Sequence, residues 1–260
     1  MSYLTLPEET MDETIPIATA IRIKPPTPES SQNPTHNKNL ILNPNGCELS
    51  IVGPNIAPEK FRFDHVLPEN TSQNEVFSRV LSPFLPLFFD GFDIFIIMSG
   101  AASSGKSYTL FGPEPGPLRS EADLGIIPRF VRHIFENYNE LEMTIKVSSF
   151  EVTNDDISDS LAPDSRRKSL LGKADIDVEP ATEVECTNVA EVFSCYESSL
   201  NVQKLKGGNL GLQSLHDYAA GSRQVSHSFF KVILEQRVAN IGKKSSVTFV
   251  DLAPSDGKLG

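Results

Sequence analysis

FDIFIIMSGAASSGKSYTLFG, residues 92–112, is the stretch whose reading decides the fold. Its first part, Phe92 to Met98, is nearly all apolar and suits a central β-strand covered on both faces. The loop that follows without a break, GAASSGKS from Gly100 to Ser107, fills the pattern G-x-x-x-x-G-K-S/T. In that pattern small residues let backbone N–H groups curl around phosphates, the lysine places a point charge on the outer phosphates, and the final hydroxyl is offered to Mg²⁺. Ser107 to Leu110 is compatible with a helix start, so strand, loop and helix stand in the order that aims backbone donors at an anion. A Gly/Ser-rich loop can fill this pattern by accident, but the flanking strand and helix weigh against that and point to a nucleoside triphosphate with magnesium. Ser103 sits in mid-loop where glycine would allow a positive φ, so strain is expected there.

Outward from the loop, strand and helix patterns alternate. Ile15 to Ile23 alternates apolar with small or polar residues and stops at Pro25, Cys47 to Val52 reads as a strand, and Phe61 to Val66 alternates again. Ser72 to Phe89 carries apolar residues at helical spacing, with Pro83 and Pro86 expected to bend it. Further on, Ile126 to Tyr138 reads as a helix with a proline near its start, Met143 to Val152 as a strand and Asn188 to Leu200 as a helix. Ser228 to Glu235 and Val247 to Leu252 read as strands. This order predicts an α/β protein with helices on both faces of a central sheet. Residues 1–14 read as a flexible acidic N-terminus, the Pro-, Ser- and Asn-rich run from Pro25 to Pro44 as a flexible surface segment, and 15–260 as one domain.

Composition narrows the function. The 34 acidic against 23 basic residues leave a net charge of −11, which repels nucleic acid and anionic membrane. Cys47, Cys186 and Cys195 stand in no metal or redox spacing, as expected of reduced thiols in the cytoplasm. No apolar run reaches the roughly 18 residues of a membrane span, and the N-terminus lacks a signal pattern. His65, His133, His216 and His227 share no ligand spacing, and the phenylalanines of segments such as Phe84 to Phe95 read as core.

From about Ile15 onward the chain resembles the kinesin motor domain. The segment 92–112, with Tyr108-Thr109-Leu110 after the loop, is similar to the family's strand, phosphate loop and helix start. Arg22-Ile23-Lys24-Pro25 resembles its nucleotide-base strip, Phe61-Arg62-Phe63-Asp64 its early strand, and Gly125-Ile126-Ile127-Pro128-Arg129 the start of its next helix. Val147 to Leu161 is similar to the segment holding its strand, Glu and short helix. The resemblance implies a P-loop NTPase fold with a mixed central sheet, ATP and Mg²⁺ as cofactors, and microtubules as partner, in the cytoplasm and cytoskeleton. It places nucleotide contacts at Arg22, Pro25, Gly100, Ala101, Ala102, Ser103, Ser104, Gly105, Lys106, Ser107 and Tyr108. Mg²⁺ falls to Ser107, and through water to Asp251.

Both nucleotide-sensing switches depart from the family pattern. Ser222-Arg223-Gln224-Val225-Ser226-His227 resembles the first, but Gln224 and Val225 interrupt the run of serines, arginine, serine and histidine. Either Arg223 keeps its role and the loop is two residues longer, or His227 keeps its role and Val225 stands where the arginine was. Asp251-Leu252-Ala253-Pro254-Ser255-Asp256 resembles the second, which in the family reads Asp-Leu-Ala-Gly-Ser-Glu. That glycine offers its N–H to the γ-phosphate, which Pro254 lacks. Asp256 is one methylene shorter than the glutamate that pairs with the first-switch arginine. The resemblance thus assigns catalytic roles to Ser222, Arg223, Ser226, Asp251 and Asp256, and implies impaired hydrolysis. A proline that merely rigidifies a turn is the plainer alternative.

The degraded switches look most like the insect Costal branch of kinesins, which act as scaffolds in Hedgehog signalling. That implies a second reading, a non-motile scaffold of signalling proteins in which nucleotide is structural or lost. The family continues beyond the second switch with further loop, helix and strands, so the chain reads as a partial motor domain: a fragment, an incomplete gene model or a shortened protein. Arg166, Arg167, Lys168 and Lys173 form a basic cluster where the family faces the acidic microtubule, although charge runs are more often just solvated. An unrelated P-loop enzyme would need an acceptor site, and no sequence sign of one is seen.

Overall fold

Three long strands, each alternating buried side chains onto both faces, form the centre of the sheet that positions the loop. The computed structural model describes residues 17–26, 39–43, 45–53, 56–113, 120–137, 143–153, 156–162, 167–169, 181–206, 226–238 and 241–254. The chain divides into two compact units, Met1–Asn70 and Thr71–Gly260.

In the first unit, β1 (Ala20–Arg22) pairs in parallel with β5 (His65–Leu67), and β2 (Leu40–Leu42), β3 (Glu48–Gly53) and β4 (Ile56–Arg62) form an antiparallel sheet. The single strand expected over Phe61 to Val66 is two strands, broken at Phe63-Asp64. Its cause is the Asp64 carboxylate, which accepts from the Thr19 N–H and the Thr19 hydroxyl, both at 2.7 Å. These bonds hold Asp64 below the usual carboxylate range.

In the second unit, α1 (Gln73–Val80) is capped by Ser72, whose Oγ accepts from the Glu75 N–H at 3.1 Å. Pro83 and Pro86 break the expected long helix into α1, a 3₁₀ turn (Ser82–Phe84) and α2 (Leu85–Phe89), each proline lying in a first turn where no donor is needed. The chain continues through β6 (Ile94–Met98), α3 (Lys106–Phe111), α4 (Ile126–Glu136), β7 (Met143–Thr153), β8 (Asp156–Asp159), β9 (Arg167–Ser169), β10 (Val184–Cys186), α5 (Val189–Lys206), β11 (His227–Val238) and β12 (Ile241–Asp251). Seven strands form a sheet in the order β6-β12-β11-β7-β8-β9, with β10 also on β7. β6 and β12 run parallel and the other pairs antiparallel, so the sheet is mixed, within an α/β fold.

Aromatic rings bind the helices to one face. Phe230 and Phe249 are register partners on β11 and β12. Phe130 of α4 meets Phe249 edge-on at 5.6 Å, Phe88 of α2 meets Phe130 at 5.3 Å, and Tyr196 of α5 meets Phe230 at 5.6 Å while stacking on Phe111 of α3 at 3.8 Å. Such pairs add about 0.5–1.5 kcal/mol each beyond their burial. Gly125 is required by a close approach: a Cβ there would lie 2.5 Å from the Leu110 carbonyl carbon and oxygen.

Three expectations are corrected. β6 does not lie at the centre of the sheet: among the described residues it pairs with β12 alone, and Phe95 and Ile97 are 63% and 60% exposed while Ile96 is buried. Phe92, expected in the core with Phe95, is 59% exposed. Apolar side chains say what a strand tolerates, not which strand pairs beside it. Where a short helix was expected toward Leu161, β8 instead folds back antiparallel onto β7. Asp159 stabilises the exit from that hairpin, accepting from the N–H groups of Leu161, Ala162 and Thr182.

Candidate functional site

The parallel register of β6 and β12 sets Met98 beside Asp251, so both strands end at the same edge of the sheet. The phosphate loop leaves that edge from β6, and the segment Leu252-Ala253-Pro254 leaves it from β12. Clefts beyond the carboxyl ends of parallel strands are where α/β folds hold ligands.

Local conformation follows residue type. Gly100 (φ 152°) and Gly105 (φ 100°) occupy backbone regions that favour glycine, and a Cβ on Gly100 would meet Ser104 Oγ at 2.8 Å. Ser103 is the one described non-glycine residue with positive φ, at 57°. The strain expected of a serine at that point is therefore present, of order 1 kcal/mol. Ala101 and Ser104 are exposed and Ala102 half-buried.

Lys106, the first residue of α3, donates from Nζ to the carbonyls of Gly100 and Ala101, both at 2.9 Å. Its ammonium is thus held against the first two residues of the loop. Ser107 donates from Oγ to Asp251 Oδ2 at 2.7 Å across a separation of 144 residues. The second carboxylate oxygen, Oδ1, is buried and has no hydrogen-bond partner among the described residues. Burial pushes the Asp251 carboxyl above its ordinary range, and the Ser107 hydroxyl and Lys106 charge pull it back. A hydroxyl beside a carboxylate with one buried oxygen to spare is oxygen-only chemistry suited to a hydrated Mg²⁺. No cluster of three or more His, Cys, Asp or Glu suited to a metal exists among the described residues, so any ion here would rely on phosphate and water for its other ligands.

Tyr108 is exposed on α3, and its backbone carbonyl accepts from Gln73 Nε2 at 2.8 Å, which ties the helix to α1. Arg22 is half-buried at the end of β1 and Pro25 is exposed, both in the first unit. Ser226 and Pro254 are half-buried at the edges of β11 and β12. Ser222, Arg223 and Asp256 lie outside the described residues, as do Arg166 and Lys173 of the basic cluster, whose Arg167 and Lys168 belong to β9.

Two further residues make contacts at these strand ends: Glu151, which the motif reading did not select, and His227, which it placed in the first switch without a partner. Glu151 on β7 accepts from Ser226 Oγ at 3.2 Å, and His227 at the start of β11 accepts at Nδ1 from the Ala253 N–H at 3.1 Å. Both occur inside quoted motifs, but nothing in a linear pattern shows which strands become neighbours.

The family model described as the kinesin motor domain matches residues 22–258. Human chromosome-associated kinesin KIF4A is 28% identical over 263 residues, covering 93% of this chain and 19% of that protein. Klp61F, a kinesin-like protein of Drosophila melanogaster, is 27% identical over 214 residues, covering 76% of this chain and 19% of that protein. The chain thus spans about a fifth of the length of these relatives. A solved fast kinesin shares the fold with a TM-score of 0.75 at 22% identity, over 94% of this chain and 68% of that one. Among the described residues no helix is long and apolar enough to cross a membrane.

Proposed function

Because the chain belongs to the kinesin motor-domain family, we propose that it binds ATP with Mg²⁺ at residues 100–107 and associates with microtubules, with hydrolysis weakened at the second switch. The observation that carries this reading is the Ser107–Asp251 bond of 2.7 Å beside the buried, unpartnered Asp251 Oδ1. It joins the end of the phosphate loop to the end of β12 with the oxygen chemistry a nucleotide-bound magnesium uses. Bound there, the ion would neutralise charge developing between the β- and γ-phosphates.

The chain's own residues have separable tasks. Gly100 to Gly105 supply a backbone cradle, with the side chains of Ala101, Ala102, Ser103 and Ser104 small enough to leave it open. Lys106 exchanges its two carbonyl partners for phosphate oxygens, and Ser107 and Asp251 hold the hydrated ion. By the family resemblance alone, Arg22 and Pro25 are assigned to the base, Tyr108 to a nucleotide contact, and Ser222, Arg223, Ser226 and Asp256 to the catalytic switches. Arg167 and Lys168, with their basic neighbours, are assigned to the acidic surface of tubulin, which fits a cytoplasmic, cytoskeletal protein.

Pro254 favours a second reading, in which the domain is a non-motile scaffold and nucleotide is structural. A residue without an N–H cannot give the γ-phosphate the bond that drives a switch. The relatives described above do not support a Hedgehog assignment, so this reading is confined to its chemistry.

Titration with a fluorescent ATP analogue, with and without Mg²⁺, tests the first reading. Wild type binds only weakly without the ion, and Lys106→Ala weakens binding by about tenfold or more, the loss of a charged contact worth about 1.5–3 kcal/mol. Absence of binding, or a Lys106→Ala protein indistinguishable from wild type, overturns it. Co-sedimentation with microtubules tests the partner.

A further inference from the structure

Ser226 and His227 are adjacent, yet their side chains reach neighbours on opposite sides of β11. Ser226 Oγ donates to Glu151 Oε1 on β7 at 3.2 Å, and Glu151 is only 7% exposed. His227 Nδ1 accepts the Ala253 N–H at 3.1 Å, beyond the end of β12. The β11–β12 ladder closes with Ser228 opposite Asp251, so Ala253 lies past its last pair. The imidazole therefore supplies an acceptor where the ladder no longer provides one.

The backbone donors leaving β12 are then fully accounted for. Leu252 N–H goes to the Met98 carbonyl of β6 at 3.1 Å, Ala253 N–H goes to His227, and Pro254 has none. Among the described residues, the Ala253–His227 bond is the last N–H tether of this backbone before the proline.

We infer that His227 is a positioning residue that couples the two nucleotide-sensing segments: its Nδ1 fixes the Ala253 amide and with it the backbone entering Pro254. Displacement of the start of β11 at His227 thus passes directly to the backbone after β12 at Ala253. The coupling rests on the ATP-site reading above, whereas the tether itself does not. An accepting Nδ1 carries no proton and turns its lone pair to the Ala253 N–H, which places the ring proton on Nε2. The role needs an acceptor at the Nδ1 position and makes no use of ring aromaticity, so the Oδ1 of asparagine can replace it.

The full chain, labelled with ¹⁵N, tests this directly. Long-range histidine spectra of wild type show His227 with an unprotonated Nδ1 and a protonated Nε2, and the Ala253 amide is protected from exchange. His227→Leu exchanges that amide about tenfold faster, as expected for loss of a bond worth about 1.4 kcal/mol. It also slows single-turnover ATP hydrolysis while leaving the dissociation constant of a fluorescent ATP analogue within about twofold. His227→Asn restores both the protection and the rate.

A ring proton on Nδ1 overturns the inference, as does unchanged Ala253 exchange in His227→Leu, or a His227→Asn protein no better than His227→Leu. If His227→Leu fails to fold, the wild-type tautomer and His227→Asn still decide. A chain that binds no ATP analogue but shows the Nε2–H tautomer and a protected Ala253 amide supports the tether and overturns the nucleotide reading alone.

Discussion

Replacing Pro254 by glycine returns one backbone donor to the second switch, and the structure bounds what that donor can do. The N–H groups of Leu252 and Ala253 are committed to Met98 and His227, both at 3.1 Å, so neither can turn to a phosphate without giving up a bond. Because proline has no N–H, a new one at position 254 gives up no existing bond. A hydrogen bond to a charged oxygen is worth about 1.5–3 kcal/mol. If it acts only in the transition state, hydrolysis accelerates by roughly 10- to 150-fold at 1.4 kcal/mol per decade, with little change in ground-state affinity. Glycine also frees the unfolded chain and weakens the fold by about 1 kcal/mol. Pro254→Ala separates the two effects, since alanine restores the donor with less added freedom. Single-turnover hydrolysis with microtubules, alongside the dissociation constant of a non-hydrolysable analogue, reads the outcome. Should both variants hydrolyse within about twofold of wild type, the missing donor is not what limits this site. Should affinity rise as much as rate, the donor serves binding and not the chemical step.

Ser103→Gly relieves a φ of 57° and stabilises the chain by about 0.5–1 kcal/mol, seen as a higher Tm; an unchanged or lower Tm refutes the strain. Gly125→Ala drives a Cβ to 2.5 Å from the Leu110 carbonyl and costs about 1–3 kcal/mol, which denaturant titration measures. Asp159 is pushed up by burial but brought below its ordinary value by the N–H groups of Thr182, Leu161 and Ala162. Since the folded value is the lower one, its stabilisation is complete above the ordinary 3.8 and is lost as pH falls through the folded value. Asp159→Asn is accordingly less stable at neutral pH, by about 1 kcal/mol after screening by solvent, and the gap closes in acid; a gap independent of pH contradicts this.

What could be read in the chain beforehand divides by whether the chemistry is local. The phosphate loop was legible because its geometry dictates residue type within eight positions, down to the discomfort of a serine where φ is 57°. The prolines at 83 and 86 announced a bend for the same reason, since a missing donor acts on its own turn, and the structure carries it further to a break into three elements. Pairing is different. β6 carries the apolar run of a buried strand, yet among the described residues only β12 pairs with it, and Phe95 is left 63% exposed. Gly125 looked like an ordinary helix start, and its reason is the Leu110 carbonyl passing 2.5 Å from where a Cβ would be.

His227 combines both kinds of information. Its motif placed it beside a switch, and its partner, 26 residues away, exists only because β11 and β12 lie side by side. The same register explains why the altered second switch need not collapse. Asp251 is held by Ser107, Leu252 by Met98 and Ala253 by His227, so each residue leading to Pro254 has a partner from a different element. A proline added to a free loop would stiffen it at random, whereas here it follows a backbone already fixed on three sides. On the proposed ATP-site reading, loss of the N–H at 254 removes a single phosphate contact and leaves the Ser107–Asp251 pair intact, so that reading predicts that binding and hydrolysis are separable by mutation.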